Sequence, residues 1–237
     1  MLYTDPALGQ ATGGMLRPGG LELTADLIGH SGLAPGGTIL DLGCGPGHSL
    51  AWLAGSFTVY GLDCAQTMLT QAAARAPAAG LVQGRVAAMP FRSASFDGVL
   101  AECVLSLCRE QEAVLAETGR VLRPGGVLML SDLYLKNGSL ACTLPEEAGC
   151  LLHAAPLEET LAALERCGFE LLHLADHSRA LKELAGQLIF DHGNLELFWQ
   201  SFLDAPSARQ ICRAVQARPP GYYGLVAGKK REDKPYE

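Results

Sequence analysis

The sequence predicts an α/β fold in which a mostly parallel sheet presents a ligand site at the carboxyl ends of its strands. Three observations predict it. An apolar run, Thr38–Leu42, enters a turn holding Gly43, Gly45 and Gly47, and a helical pattern over 48–54 leaves it. Strand-length and helix-length apolar patterns then alternate along the chain. An acid, Asp63, closes the second strand-like run, about 20 residues beyond the glycine turn. A strand, a glycine turn and a helix in succession form the nucleotide end of such a sheet. Glycine has no Cβ, so the backbone bends sharply there and approaches a ligand closely.

The elements follow in order. Apolar residues at 21, 23, 27 and 28 predict a helix over 21–31, and Pro35-Gly36-Gly37 a turn. Strand one is Thr38–Leu42. Strand two covers 57–62, strand three 81–86, and strand four runs from 95 to Glu102 or Cys103. A helix over 110–122 ends in the turn Arg123-Pro124-Gly125-Gly126, and strand five covers 127–133. Residues 137–156 carry no regular pattern. A helix over 157–167 and strand six over 169–175 follow. Helical patterns over 180–190, 195–202 and 207–217 precede strand seven at 222–227. That helical stretch is longer than a connection needs. It reads as a cap, about 177–218, inserted near the substrate mouth. Residues 1–20, rich in Gly and Pro, read either as a flexible end or as a lid. Residues 21–237 read as one domain.

A chain of 237 residues buries one substantial core. Apolar residues make up 49% and charged residues 18%, a balance that suits a globular protein. The net charge of −7 argues against a nucleic-acid partner, because phosphate contacts need clustered Lys and Arg. Lys229-Lys230-Arg231 is a short cluster and reads as a solvated end. No apolar run reaches membrane-spanning length, and Met1–Pro6 lacks the pattern of a signal peptide. The expected compartment is the cytoplasm, where the eight cysteines (44, 64, 103, 108, 142, 150, 167 and 212) should mostly be thiols. No metal site is expected. Cys142, Cys150 and His153 form only a partial zinc set, without a paired C-x-x-C.

Asp41 sharpens the glycine turn. A carboxylate at its mouth would repel a pyrophosphate and welcome a cation. The spacing Gly43-x-Gly45-x-Gly47 also departs from the dehydrogenase G-x-G-x-x-G. The run D-L-G-C-G-P-G (41–47) resembles motif I of the class I S-adenosylmethionine (SAM)-dependent methyltransferases, and R-V-L-R-P-G-G (120–126) resembles a segment of their small-molecule members, including those of quinone biosynthesis. The resemblance spans roughly 21–228. It implies a Rossmann-like seven-stranded sheet with helices on both faces, strand seven antiparallel beside strand five, and SAM as cofactor. It places Asp41, Gly43, Cys44, Gly45 and Gly47 at the methionine end, and Asp63 at the ribose hydroxyls. Cys64 opens the C-A-Q-T-M-L segment (64–69), which puts Met68 against the adenine ring; helical spacing alone reads Met68 equally as core. The resemblance leaves adenine recognition to the backbone of Val86 and Ala87, or else has Arg85 pointing to solvent. Arg85 stands where the family commonly carries an acid, and a guanidinium has no acceptor for the adenine amino group. Glu102 is placed near the methyl group.

Two local matches concern the acceptor. A-E-C-V-L-S-L (101–107) and G-C-L-L-H-A (149–154), followed by a helix and C-G-F (167–169), resemble segments of arsenite methyltransferases. That resemblance makes Cys103 and Cys150 the thiolates that hold trivalent arsenic. Soft thiolates select thiophilic centres. Two departures stand against it: Leu152-His153 replaces a Gly-Gly pair, and residues 1–43 lack the cysteine found before motif I. Read alone, either cysteine is also an ordinary core residue. An alcohol acceptor would instead need a general base, for which His48, His153 and Asp132 are candidates. The expected activity is methyl transfer from SAM to a small molecule. A thiol-bound arsenical is one acceptor; a quinone-like carbon or oxygen acceptor is the alternative. A non-catalytic SAM-binding regulator is the alternative of another class.

Overall fold

A computed structural model describes residues 14–15, 17–136, 138 and 144–230. Its strands are β1 (Thr38–Leu42), β2 (Thr58–Asp63), β3 (Gly80–Gln83), β4 (Phe96–Glu102), β5 (Leu122–Leu135), β6 (Phe169–Asp176) and β7 (Pro220–Lys229). They form one seven-stranded sheet in the order β3-β2-β1-β4-β5-β7-β6. Strands β1 to β5 pair in parallel, and β7 runs antiparallel to both β5 and β6. The helices are α1 (Gly20–Ser31), α2 (His48–Leu53), α3 (Gln66–Arg75), α4 (Gln111–Val121), α5 (Leu157–Arg166), α6 (Ser178–His192), α7 (Leu195–Gln200) and α8 (Ala205–Ala217).

Alternation along the strands builds a core on each face. Leu40, Leu42, Leu128, Leu130 and Leu225 join Val114 and Leu115 of α4 and Leu164 of α5. Their neighbours Ile39, Val127, Met129 and Val226 join Leu23 and Leu27 of α1, Leu50 of α2 and Leu69 of α3. Parallel strands covered on both faces read as continuous apolar runs. The run Ile39-Leu40 is such a case, with both residues buried.

Two boundaries differ from the sequence expectation. The stretch 123–126 is not a free turn. Leu122 already pairs with Phe96, and pairing resumes at Gly98 with Val127, so Arg123–Gly126 is a bulge inside β5. Gly125 takes the left-handed conformation (φ 77°) that the bulge requires. Strand β3 stops at Gln83 rather than Val86, because Arg85 turns back to bridge Ala88. Within the patternless stretch, a 3-10 segment (Glu146–Leu151) carries Cys150. Residues 137 and 139–143 of that stretch, with Cys142, lie outside the described residues, as do 1–13, Leu16 and 231–237.

The insertion between β6 and β7 is helical, as expected. Ile211 and Ala214 of α8 pack on Leu144, Ala148 and Leu151, which connects the insertion to the Cys150 segment. Asp204 and Asn194 cap α8 and α7 by accepting from the backbone N–H groups of Ser207 and Leu197, each at 2.8 Å.

Leu50 supports the glycine turn from below. It is fully buried, and a Cβ on Gly61 would sit 2.7 Å from its Cδ1, so the two positions are fitted to each other. Leu50→Ala should lower stability by about 2–5 kcal/mol. Urea unfolding checks this: the midpoint should fall while the denaturant slope stays unchanged.

Candidate active site

A cavity of about 900 Å³ opens at the carboxyl ends of β1, β2 and β4. Its wall includes Asp41, Gly43, Cys44, Gly45, Asp63, Cys64, Met68, Val86, Ala87, Glu102 and Cys103. Gly47 lies behind this wall. It starts α2 with φ 82°, and a Cβ there would meet Ala72 of α3 at 2.9 Å. Its glycine therefore serves a close approach of turn to helix. Gly45 (φ 51°) faces open space, where an added Cβ would touch only the Gly43 carbonyl at 3.9 Å. Arg85 is exposed at the rim.

Three carboxyl groups on the wall are buried: Asp41, Asp63 and Glu102. One guanidinium answers them. Arg17 pairs with Glu102 at 2.8 Å and also donates to Thr24 Oγ1 at 2.8 Å and Ser49 Oγ at 3.0 Å. Thr24 and Ser49 each donate to Glu102 at 3.0 Å. Burial raises the Glu102 carboxyl above the usual range, while Arg17 and the two hydroxyls oppose that rise. Burial, and then the neighbouring Glu102 charge, hold Asp41 well above it. Asp63 is set by the backbone. Its two oxygens accept from the N–H groups of Gly45 at 2.9 Å and Ala65 at 2.8 Å. This fixes the carboxylate and leaves lone pairs for hydroxyl donors.

The structure also brings Cys103 and Cys150 together. Their sulfur atoms and one Asp132 oxygen all lie within 4.8 Å of one another. The Cys150 thiol donates to the Cys103 carbonyl at 3.5 Å, and Cys103 Sγ stands 3.2 Å from Tyr222 Oη. The Cys103 backbone takes φ 55°, a conformation that a non-glycine residue holds only where its surroundings enforce it. The nearby Cys150 and burial raise the Cys103 thiol well above its usual range. Burial also raises Asp132 to about 6, against hydrogen bonds from Ser106 and Leu133.

His153 is placed elsewhere. It lines a smaller cleft with Arg109 and Glu159, while its neighbour Leu152 faces the main cavity. His48 lines the main cavity, and burial lowers its ring below the ordinary histidine value.

Sequence reasoning missed Arg17, Thr24 and Ser49. Arg17 lies in the Gly- and Pro-rich segment read as a flexible end or lid, yet its guanidinium is bound on four sides. The available signal was Glu102. An acid at the end of a buried strand demands a cation, and few cations precede it in the chain.

This donor set fits a cationic ligand bearing vicinal hydroxyls. Three buried acids against one arginine leave the wall short of positive charge, and Asp63 is aligned for hydroxyl donors. Fold and site together define a nucleotide-type α/β domain with an acidic rather than phosphate-binding turn.

Comparison with known proteins agrees. Residues 40–130 match the methyltransferase domain family model. Methyltransferase GfsG of Streptomyces halstedii is 32% identical over 178 residues, 69% of this chain and 63% of that protein. The arsenite methyltransferase of Halobacterium salinarum is 29% identical over 160 residues, 60% of this chain and 40% of that protein. The chain thus spans less than two thirds of either relative. The [4+2]-cyclase SpnF shares the fold at a TM-score of 0.79 and 23% identity, over 98% of this chain and 94% of that one. A Haemonchus contortus phosphoethanolamine N-methyltransferase holding SAM aligns at a TM-score of 0.74 and 17% identity, over 95% of this chain and 56% of that one. These likenesses support a class I SAM-dependent methyltransferase domain, with the family match on residues 40–130.

Two outcomes test this site. Asp63→Ala should weaken SAM binding roughly 10- to 100-fold, the worth of hydrogen bonds to a charged group, while the protein stays folded. Equilibrium dialysis with labelled SAM measures it. Asp132, followed by carbon NMR of labelled carboxyl groups, should titrate near 6. Because the folded state holds this proton where the unfolded chain has lost it, the Asp132 contribution to stability should fall as pH rises from about 4 to about 6.

Proposed function

We propose that the chain transfers the methyl group of SAM to a small thiophilic acceptor held by Cys103 and Cys150, of which a thiol-bound trivalent arsenical is the best fit. The observation that carries this reading is the meeting of the two sulfurs. Cys103, at the end of β4 next to Glu102, lines the cavity, and Cys150, on the 3-10 segment after β5, is buried beside it, between the wall residues Gly149 and Leu152. The likeness to the Halobacterium salinarum arsenite methyltransferase supports it.

When bound, SAM would supply an electrophilic methyl group on its sulfonium centre, with S-adenosylhomocysteine as the leaving group. The chain's own residues do the positioning. Asp41 and Glu102 favour positive charge at the methionine end. Asp63, fixed by two N–H groups, takes the ribose hydroxyls. Met68, with Val86 and Ala87, forms the adenine wall. Cys103 and Cys150 exchange their S–H bonds for bonds to the acceptor centre, and the two protons leave with the displaced hydroxide or thiol groups. Bonding to the acceptor replaces the buried thiol protons, so the raised Cys103 thiol need not ionise freely. Such an acceptor attacks through its own lone pair, so no general base is required. Alignment then provides much of the rate.

His48 favours a second reading. It lines the cavity with its ring held neutral near pH 7, and so suits proton removal from a carbon or oxygen acceptor. The likeness to malonyl-[acyl-carrier protein] O-methyltransferases, 37% identical over 108 residues for the Serratia marcescens protein, supports an oxygen acceptor.

Cys103→Ser and Cys150→Ser separate the two. Each should abolish methylation of a glutathione-bound monomethyl arsenical, at least 100-fold by product chromatography, with S-adenosylhomocysteine binding kept. Full turnover by either variant would remove the thiol reading and turn attention to His48.

A further inference from the structure

A second cluster of donor side chains lies away from the cavity, where α1 meets the outer strand of the sheet. Asp26 and His30 are four residues apart on α1 and so share one face. His173 comes from β6. The pairing of β6 with β7 shifts register between Leu171 and His173, the kind of bulge that re-aims a side chain. The His30 and His173 rings stack at 3.7 Å and 11°. One donor atom each from Asp26, His30 and His173 lie within 4.8 Å of one another.

His177 completes the group. Its Nε2 stands 3.7 Å from one Asp26 oxygen, and His30 Nδ1 stands 3.5 Å from the other. The His177 backbone is pinned by its N–H, which donates to the Tyr222 carbonyl at 2.8 Å. Gly224 of β7 leaves the ring its space, since a Cβ there would sit 3.1 Å from Nε2. The Nε2 atoms of His173 and His177 are shielded from solvent and have no hydrogen-bond partner among the described residues. Shielded polar atoms without a partner are rare in native proteins and call for an explanation.

We propose that Asp26, His30 and His173, with His177 as a fourth donor, bind a divalent transition metal ion of the zinc type. Imidazole nitrogen and carboxylate oxygen are the donors such ions prefer. Four tetrahedral donors at zinc distances stand about 3.3 Å apart; to reach that, the three grouped donors must close in, His177 must approach, and the stacked His30 and His173 rings must turn to aim their nitrogens at one point. Asp26 and His30 are partly exposed, and His30 Nδ1 contacts the Asp26 backbone carbonyl at 2.9 Å, which leaves its Nε2 for the ion. None of the four residues lines the cavity, so the ion is structural. It fastens α1 to β6 and to the start of α6. Thr24, two residues before Asp26, holds Glu102, so the ion steadies the helix that supports the cavity acid.

Zinc itself is the probe. Reduced full-length protein carrying Cys103→Ser and Cys150→Ser, which removes the thiol pair as a rival site, is dialysed against Zn²⁺ and its metal counted by mass spectrometry. One equivalent per chain should be retained. At zinc a hundredfold above its Kd, the Tm should rise by roughly 5–10 °C. His30→Ala, at a ring 45% exposed, should remove both effects without unfolding the chain. His173→Ala provides an independent second loss. Co²⁺ added to the same double variant should give a visible ligand-field spectrum that His30→Ala removes. A folded protein that retains no zinc, or zinc retention that neither histidine variant alters, would overturn the site.

Discussion

The ion pair between Arg17 and Glu102 holds the candidate site together. Arg17 precedes α1, Thr24 lies on α1, Ser49 on the first turn of α2 and Glu102 at the end of β4, and one hydrogen-bonded network joins all four. A buried acid without its cation costs about 3–5 kcal/mol, more than most single contacts contribute. The pair therefore does more than neutralise a charge. It obliges the segment before α1 to lie over the cavity, where Gly14 and Met15 also contribute wall.

From that constraint the rest of the site follows. Because β1, β2 and β4 run parallel, their carboxyl ends deliver Asp41, Asp63 and Glu102 to one edge. Open α/β sheets bind ligands at that edge. The antiparallel β7 then passes behind it, bringing Tyr222 to Cys103 and to Ser131 of β5. The helical insertion between β6 and β7 packs on the segment that carries Cys150. The acidic edge and the Cys150 segment are thus built by different elements. The same fold serves a [4+2]-cyclase, which is a reminder that the chemistry belongs to the site and not to the sheet.

The sheet was largely legible in the sequence, because buried parallel strands are written as short apolar runs between glycine turns. The glycine turn, Asp41 and Asp63 were legible for the same reason: local spacing determines them. What escaped was tertiary. The Arg123–Gly126 stretch carries turn residues, yet its neighbours pair with β4, and only that pairing makes it a bulge. Arg17 sits in a segment without periodicity, so nothing nearby shows that a distant acid claims it. Asp26 with His30, and His173 with His177, are local pairs whose meeting depends on how β6 is placed beside β7. The thiol pair was suggested by resemblance; the register of β5 and the 3-10 segment bring its members within reach.

The central claim is that three buried acids against one arginine make this cavity a receptor for a cation. Titration calorimetry with SAM and with NAD, in two buffers of different ionisation enthalpy, tests it most directly. The account predicts one SAM bound per chain, with proton release as the incoming positive charge draws Asp41 toward its ionised form, and no heat from NAD. Binding of NAD, or no binding of SAM by the folded protein, would contradict it.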